Sequence, residues 1–142
     1  MHETYSERDR NRPALGIQQP WGDLILQGKK RLEVRSLPTQ IRGRIYLYSS
    51  KKDSRLPEAL PHLEAATRAN RTLGRGVIIG SVELVNCRPA LPADAPAACV
   101  NPERLADQYV WELAHPHTFP DPWPVTFLPY GVWFYPWRRK KS

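Results

Sequence analysis

Between Gly16 and Arg35 the chain reads GIQQPWGDLILQGKKRLEVR, and this stretch restricts the fold more than any other. Leu15 and Ile17 alternate with Gly16 and Gln18, the period of a short strand. Pro20 suits the first position of a helix, where its missing N–H costs nothing. Trp21, Leu24 and Ile25 follow at i, i+3, i+4 spacing and make one apolar stripe. Gly28 closes that helix as a C-cap. Beyond it, Leu32 and Val34 point to one side of a second strand, and Arg31, Glu33 and Arg35 to the other. Strand, short helix and strand follow one another with almost no connecting chain.

The remainder continues in short elements. Ser36 to Arg42 is a loop around Pro38, and Gly43 opens a strand from Arg44 to Ser50. In that strand Ile45 and Leu47 face one side, Tyr46 and Tyr48 the other. Pro57 can start a helix with Leu60, Leu63 and Thr67 on its inner face, ending before Gly74. GVIIGSVELVNCR, from Gly76 to Arg88, reads as strand, with Gly80 marking a bulge or tight bend. Residues 89–96 read as loop, and Asn101 with Pro102 starts a short helix to about Gln108. Tyr109–Leu113 and Val132–Tyr135 read as strands. HPHTFPDPWPVTFLP between them is too rich in proline for a central strand and belongs at an edge or in a loop. There is no internal repeat. The expected class is α+β, a small curled or closed sheet of five or six strands with two to three helices. Residues 1–13 are expected to be disordered, 14–137 to form one domain, and 138–142 to be a basic tail. At this length a chain can bury about 70% of its unfolded surface and needs no staples.

Charge narrows the partners. The chain of 142 residues carries a net +7, with a sequence pI near 9.7. Such a balance favours polyanions, mainly nucleic acid. The cations concentrate at Lys29, Lys30, Arg31, Arg35, Arg42, Arg44, Lys51, Lys52 and Arg55, opposed there only by Glu33 and Asp53. No apolar run approaches the roughly 20 residues that span a bilayer, so no membrane is expected. The polar N-terminus does not resemble a signal peptide, and a cytoplasmic location is expected. Cys87 and Cys99 then read as reduced thiols. They are twelve apart, and His115 and His117 are two apart, which matches no structural zinc spacing. No phosphate-loop or dinucleotide glycine fingerprint is present. Neither metal nor cofactor is expected, and a monomer is the default.

The octapeptide Gly28-Lys29-Lys30-Arg31-Leu32-Glu33-Val34-Arg35 fits G-x-K-x-x-E-x-R, the hallmark of ASCH domains in the PUA-like superfamily. Three further blocks resemble that family in the expected order: RGRIYLYSSKK, GVIIGSVELVNCRP and YVWELAHPHTFPDPWPV. With GIQQPWGDLILQGKKRLEVRS, which resembles the family's opening strand, helix and motif strand, the resemblance runs from about Ala14 to Trp137. The resemblance implies a mixed β-barrel flanked by helices, with the motif lining a cleft at one barrel face. It also implies nucleic acid as partner, RNA ahead of DNA, or a nucleotide or modified nucleoside.

The motif has its own chemistry. Glu33 can accept from an exocyclic amino group or ring N–H of a base. Arg35 offers a planar fork to phosphate or a carbonyl edge. Lys30 supplies a point charge or, if burial lowers its pKa, a general base. The expected cleft comprises Gln18, Trp21, Lys30, Glu33, Arg35, Ser49, Trp111 and Glu112, with Trp21 or Trp111 as a stacking plate. The expected backbone-binding cations are Lys29, Arg31, Arg42, Arg44, Lys51, Lys52 and Arg55. The competing reading is a buried Glu33–Arg35 pair that only orders the barrel. A metal-independent ribonuclease would need a base and a cation, which Tyr48, Lys51 and Lys52 near the expected cleft could supply; the candidates for catalysis of any kind are Lys30, Glu33, Tyr48 and Lys52. Relatives that hydrolyse N4-acylated cytidines look as though they use a Lys, a Thr three residues on and a later Glu. Here Lys30 and Glu83 match, but Glu33 stands where the Thr would be. A third alternative is a protein-interaction or coactivator module.

Overall fold

The computed structural model describes residues 3–139. Six strands form one mixed sheet: β1 Ala14–Ile17, β2 Leu32–Arg35, β3 Gly43–Ser49, β4 Val77–Pro89, β5 Tyr109–Trp123 and β6 Trp133–Phe134. Their order is β2-β5-β4-β3-β1-β6, with β1 parallel to β3 and the other neighbours antiparallel. Three helices accompany it: α1 Trp21–Leu26, α2 Leu60–Arg68 and α3 Ala95–Ala98. Among the described residues no helix is long and apolar enough to cross a membrane.

Strand alternation gives the sheet two apolar faces, and both are covered. Leu15, Ile45, Leu47, Leu84, Trp111 and Leu113 face inward against Trp21, Leu24 and Ile25 of α1. Tyr46, Tyr48, Phe119, Trp123, Phe134 and Trp137 form a second, aromatic cluster on the other face. Ile45 and Leu47 therefore part from Tyr46 and Tyr48 as alternation requires. Register shifts between β4 and β5 at three places, next to Gly80, Ser81 and Leu84, bend the long hairpin. The sheet curls into a half-barrel until its two ends approach. Trp111 of β5 lies flat on Trp133 of edge strand β6, with ring centroids 5.6 Å apart.

Several elements differ from the sequence reading. The proline-rich segment is strand: β5 runs on through Pro116, Pro120 and Pro122. Its edge placement nevertheless holds, because β2 pairs only with Tyr109–Glu112 and leaves the later part open on one side. Proline is tolerated there because no ladder donor is missed. Residues 89–96 are not simply loop but carry a 3₁₀ turn, Pro92–Asp94, leading into α3. The helix expected after Asn101 is one 3₁₀ turn, Pro102–Leu105. Helix α2 turns Ala66 inward, while Leu60 is 57% exposed and Thr67 is exposed. Its inner face begins one residue earlier, at buried Ala59 in the preceding 3₁₀ turn. Residues 3–13, expected to be disordered, lie over the aromatic cluster. Tyr5 meets Trp123 and Trp137 edge-on at 6.0 Å, and the Asp9 N–H donates to Tyr46 Oη at 2.8 Å. Met1, His2 and the end of the basic tail, Lys140 to Ser142, lie outside the described residues.

Gly80 shows how closely α1 sits on the sheet. A Cβ there would lie 2.4 Å from the His117 carbonyl oxygen and 2.7 Å from Leu26 Cδ2. The backbone oxygen cannot move without disturbing the β4–β5 ladder. Gly80→Ala is expected to destabilise the protein by about 2–3 kcal/mol in urea unfolding, whereas Gly16→Ala, which meets nothing within 4 Å, leaves the midpoint much nearer wild type.

Candidate functional site

The turn after α1 places the first functional side chain. Gly28 adopts φ +78°, and the N–H groups of Lys29 and Lys30 both return to the Leu24 carbonyl at 3.0 and 3.1 Å. This tight reversal carries Lys30 under the sheet opening, where it is only 3% exposed. Its ammonium donates to the Ala98 carbonyl, which is presented at the end of α3 where Cys99 takes the left-handed conformation. It also lies 3.8 Å from Glu33 Oε1 and 5.0 Å from the Trp21 ring centroid.

Strand β2 then projects Glu33 and Arg35 to the inner face. Arg35 Nε and Nη2 both lie 2.9 Å from Glu33 Oε2. Nη2 reaches further, donating to the Gly16 carbonyl of β1 at 3.0 Å. A single guanidinium thus links one edge strand to a strand near the other edge, across the mouth of the curl. Beneath it, Trp111 supports the guanidinium at 5.6 Å and anchors the next loop by donating Nε1–H to the Leu37 carbonyl at 3.2 Å.

These groups line a cleft of about 450 Å³, walled by Gly16, Ile17, Gln18, Trp21, Val34, Ser54, Leu56 and Val100. That volume lies in the range of small-molecule sites. Burial lowers the Lys30 pKa below the usual 10.5, and the charge of Glu33 only partly offsets it. One carboxylate is shared between two cations: Oε2 is occupied by Arg35, while Oε1 has the ammonium beyond hydrogen-bonding distance. The arrangement can hold a small polar group at Oε1 and an anionic or carbonyl group near Lys30. Among the described residues no group of His, Cys, Asp and Glu is arranged to hold a metal ion.

Of the expected cleft residues, the structure brings together Gln18, Trp21, Lys30, Glu33 and Arg35. Ser49 is not among them: it is fully buried and donates to the Gly74 carbonyl at 2.6 Å. Trp111 is 2% exposed beneath Arg35 and stacked on Trp133, so it cannot serve as a base plate. Glu112 falls on the opposite face of β5 from Trp111 and binds Arg88 and Asn86. Tyr48 lies in the outer aromatic cluster, edge-on to Phe134 at 5.3 Å, and Lys52 is exposed outside the cleft lining. Glu83, the later acid of the hydrolase comparison, pairs with Arg44 at 3.6 Å and does not line the cleft. Lys29, Arg31, Arg42, Lys51, Lys52 and Arg55 are exposed, but Arg44 is committed to Ser81 Oγ and the His115 carbonyl. Ser54, Leu56, Val34 and Val100 escaped the sequence reading because only tertiary folding gathers them.

The G-x-K-x-x-E-x-R segment and the half-barrel around it coincide with a known family: the ASCH domain model matches residues 15–122. The chain belongs to the ASCH domain family. The family has a PUA-like fold associated with RNA binding. Among curated proteins, this ASCH domain is 32% identical over 81 residues to Activating signal cointegrator 1 of Homo sapiens and of Mus musculus. The match covers 51% of this chain and 14% of those proteins, so the chain spans about one seventh of their length. Among solved structures, ASCH from Zymomonas mobilis aligns with a TM-score of 0.58 at 17% identity, covering 93% of this chain and 90% of that one. A serine-to-alanine variant of the same protein aligns with a TM-score of 0.57 at 17% identity, covering 93% and 91%. At these identities they establish the shared fold.

Two cleft walls of this ASCH domain are tied together by Glu58. Its Oε2 accepts from the Asn101 N–H at 3.1 Å and from Arg104 Nε, joining the loop that carries Ser54 and Leu56 to the segment that carries Val100. The Arg104 hydrogen bond outweighs burial and lowers the Glu58 pKa to about 2. A depressed carboxyl stabilises the fold above its unfolded value of 4.5 and loses that contribution as pH falls towards 2. Glu58→Gln is therefore expected to lower the Tm by about 3–6 °C at pH 7, and to lose less further stability than wild type between pH 4.5 and 2. Lys30 acts at the other end of the scale. The folded protein holds its proton less tightly than the unfolded chain, so stability should rise with pH on approaching 10.5. Urea midpoints of Lys30→Met should lack that alkaline rise.

Proposed function

We propose that this ASCH domain binds single-stranded RNA and that its cleft receives one unstacked nucleotide. The observation that carries the reading is the Lys30–Glu33–Arg35 group, set inside an accessible cleft rather than sealed in the core. Here Trp21 and Val100 form walls, and Glu33 Oε1 is left as an acceptor for an amino or ring N–H of a base. Arg35 is already bonded to Glu33 and Gly16, so it holds the carboxylate in position. Lys29, Arg31, Lys51, Lys52 and Arg55 are exposed and available to the phosphate backbone. RNA is favoured over duplex DNA because a cleft of this size suits single bases splayed from loops and ends.

Recognition fits the geometry better than hydrolysis. Tyr48, the hydroxyl considered for ribonuclease chemistry, belongs to the outer aromatic cluster. Glu83 does not join Lys30, and Glu33 supplies no hydroxyl nucleophile for amide hydrolysis.

If about four of the exposed cations each neutralise a phosphate, affinity for a single-stranded RNA should fall about 50-fold between roughly 50 and 200 mM salt. A flat salt titration by fluorescence anisotropy would remove the electrostatic account. In the same assay Glu33→Gln should change the ranking among homopolymeric RNAs by about tenfold, the scale of one base contact. An equal loss on every sequence would show that Glu33 does not face a base.

A further inference from the structure

Positive charge also gathers on the opposite face of the sheet. Arg44 and Tyr46 alternate there with the inward Ile45, and Ser81 stands across from Tyr46 in the β3–β4 ladder. An open cavity of about 630 Å³ is lined by Glu3, Arg12, Arg44, His115, Pro116 and His117. Behind Glu3 and Arg44, which line it, lies Ser81, a fully buried hydroxyl bonded to both. Ser81 Oγ takes a hydrogen bond from Arg44 Nη1 at 3.1 Å and donates one to Glu3 Oε2 at 3.1 Å. Arg12 Nη1 donates to Glu3 Oε1 at 2.6 Å, and His117 Nδ1 stands 3.5 Å from Glu3 Oε2. Arg44 is itself fixed by the His115 carbonyl at 2.8 Å and by Glu83 at 3.6 Å.

The Glu3 carboxylate therefore rests in a seat built from an arginine, a histidine and a buried hydroxyl backed by a second arginine. Burial alone would raise its pKa, but the hydrogen bond and charge of Arg12, with Ser81 and His117, outweigh burial and hold it below the usual carboxylate range. Glu3 belongs to no helix or strand, so leaving the seat breaks no sheet hydrogen bond. Donors of this kind and number serve a phosphate at least as well as a carboxylate, because phosphate offers more acceptor oxygens and more charge.

We propose that this seat is a phosphate-binding site on the outer face, and that the Glu3 carboxylate is its tethered occupant. The incoming group is a phosphate, either on a nucleic-acid backbone or free, and it displaces Glu3 as it binds. The site lies on the other face of the sheet from the cleft and stands whether or not the cleft binds RNA.

The test follows the imidazole signals of His115 and His117 by NMR as inorganic phosphate is added to the full chain at pH 7. Glu3→Gln keeps a polar side chain but removes the competing charge. It should reach half-saturation at a phosphate concentration at least about fivefold lower than wild type. Adding Arg12→Gln or Ser81→Ala to that variant should raise the requirement again, with an unchanged amide spectrum elsewhere showing that the fold is intact. Equal titrations of wild type and Glu3→Gln, or shifts that chloride reproduces at the same ionic strength, would overturn the site. A second arm adds a short single-stranded RNA to the Glu3→Gln, Glu33→Gln double variant. Shifts of the same imidazoles at micromolar RNA identify backbone phosphate as the ligand, and shifts with inorganic phosphate alone identify the free ion. The absence of a response in both arms would reject the proposal.

Discussion

The Lys30 ammonium is taken almost wholly out of water, and a charge in that position must be met by acceptors within the protein. Two neighbouring features are arranged to meet it. The left-handed turn at Cys99 ends α3 and leaves the Ala98 carbonyl facing the ammonium. Strand β2 is registered against β5 so that Glu33, opposite Trp111, points to the inner face. Moving β2 by one residue would turn Glu33 outward and bring Leu32 or Val34 against the charge. The register of the motif strand and the path of the 95–100 segment are therefore coupled through one side chain. Glu33 is in turn held by Arg35, whose second contact reaches β1. What begins as compensation for a buried cation thus ends as a brace across the open side of the half-barrel.

That brace explains why a sheet with two unpaired ends can hold a cleft between them. β2 and β6 are the terminal strands of the order, and a flat sheet would keep them far apart. The register shifts of β4 and β5 bend it, and the Trp111–Trp133 stack fills the inside of the bend. Aromatic area of this kind stabilises strongly and sets a minimum separation between the ends. The space that remains, just beyond the stack, is the cleft.

Much of this was legible in the sequence, and what was not has common physical reasons. The Gly16–Arg35 stretch was read correctly because each of its signals is local: a 3.6-residue stripe, a glycine after it, and alternation beyond. The separation of Ile45 and Leu47 from Tyr46 and Tyr48 is local in the same way. Ser49, Trp111 and Glu112 failed as cleft residues because membership depends on which face meets α1 and on strand register, neither of which is written within a strand. Arg44 failed for a related reason: its partners Ser81 and His115 are more than thirty residues away, and only the β3–β4–β5 ladder brings them to it. Helix α2 does pack Leu63 against the core, but Leu60 and Thr67 were wrongly placed inside, where Ala59 and Ala66 are buried instead. The N-terminal segment looked polar enough to be disordered, yet Tyr5 and the arginines around it find an aromatic surface that no local pattern announces.

The position of Glu33 also bears on how the family motif can vary. Here one carboxylate stands between a buried ammonium and a half-buried guanidinium, so it balances part of a local charge of two. Replacing it by threonine would leave both cations facing each other without an anion. Burial already weakens the hold of Lys30 on its proton, and the nearby Arg35 charge pushes in the same direction. Loss of the acid would push it further, towards a neutral amine that accepts a proton rather than donating one. With glutamate in the middle, the lysine is held closer to its charged form and the cleft presents fixed charges. In this chain the charge of that one residue therefore acts on the protonation of its neighbour.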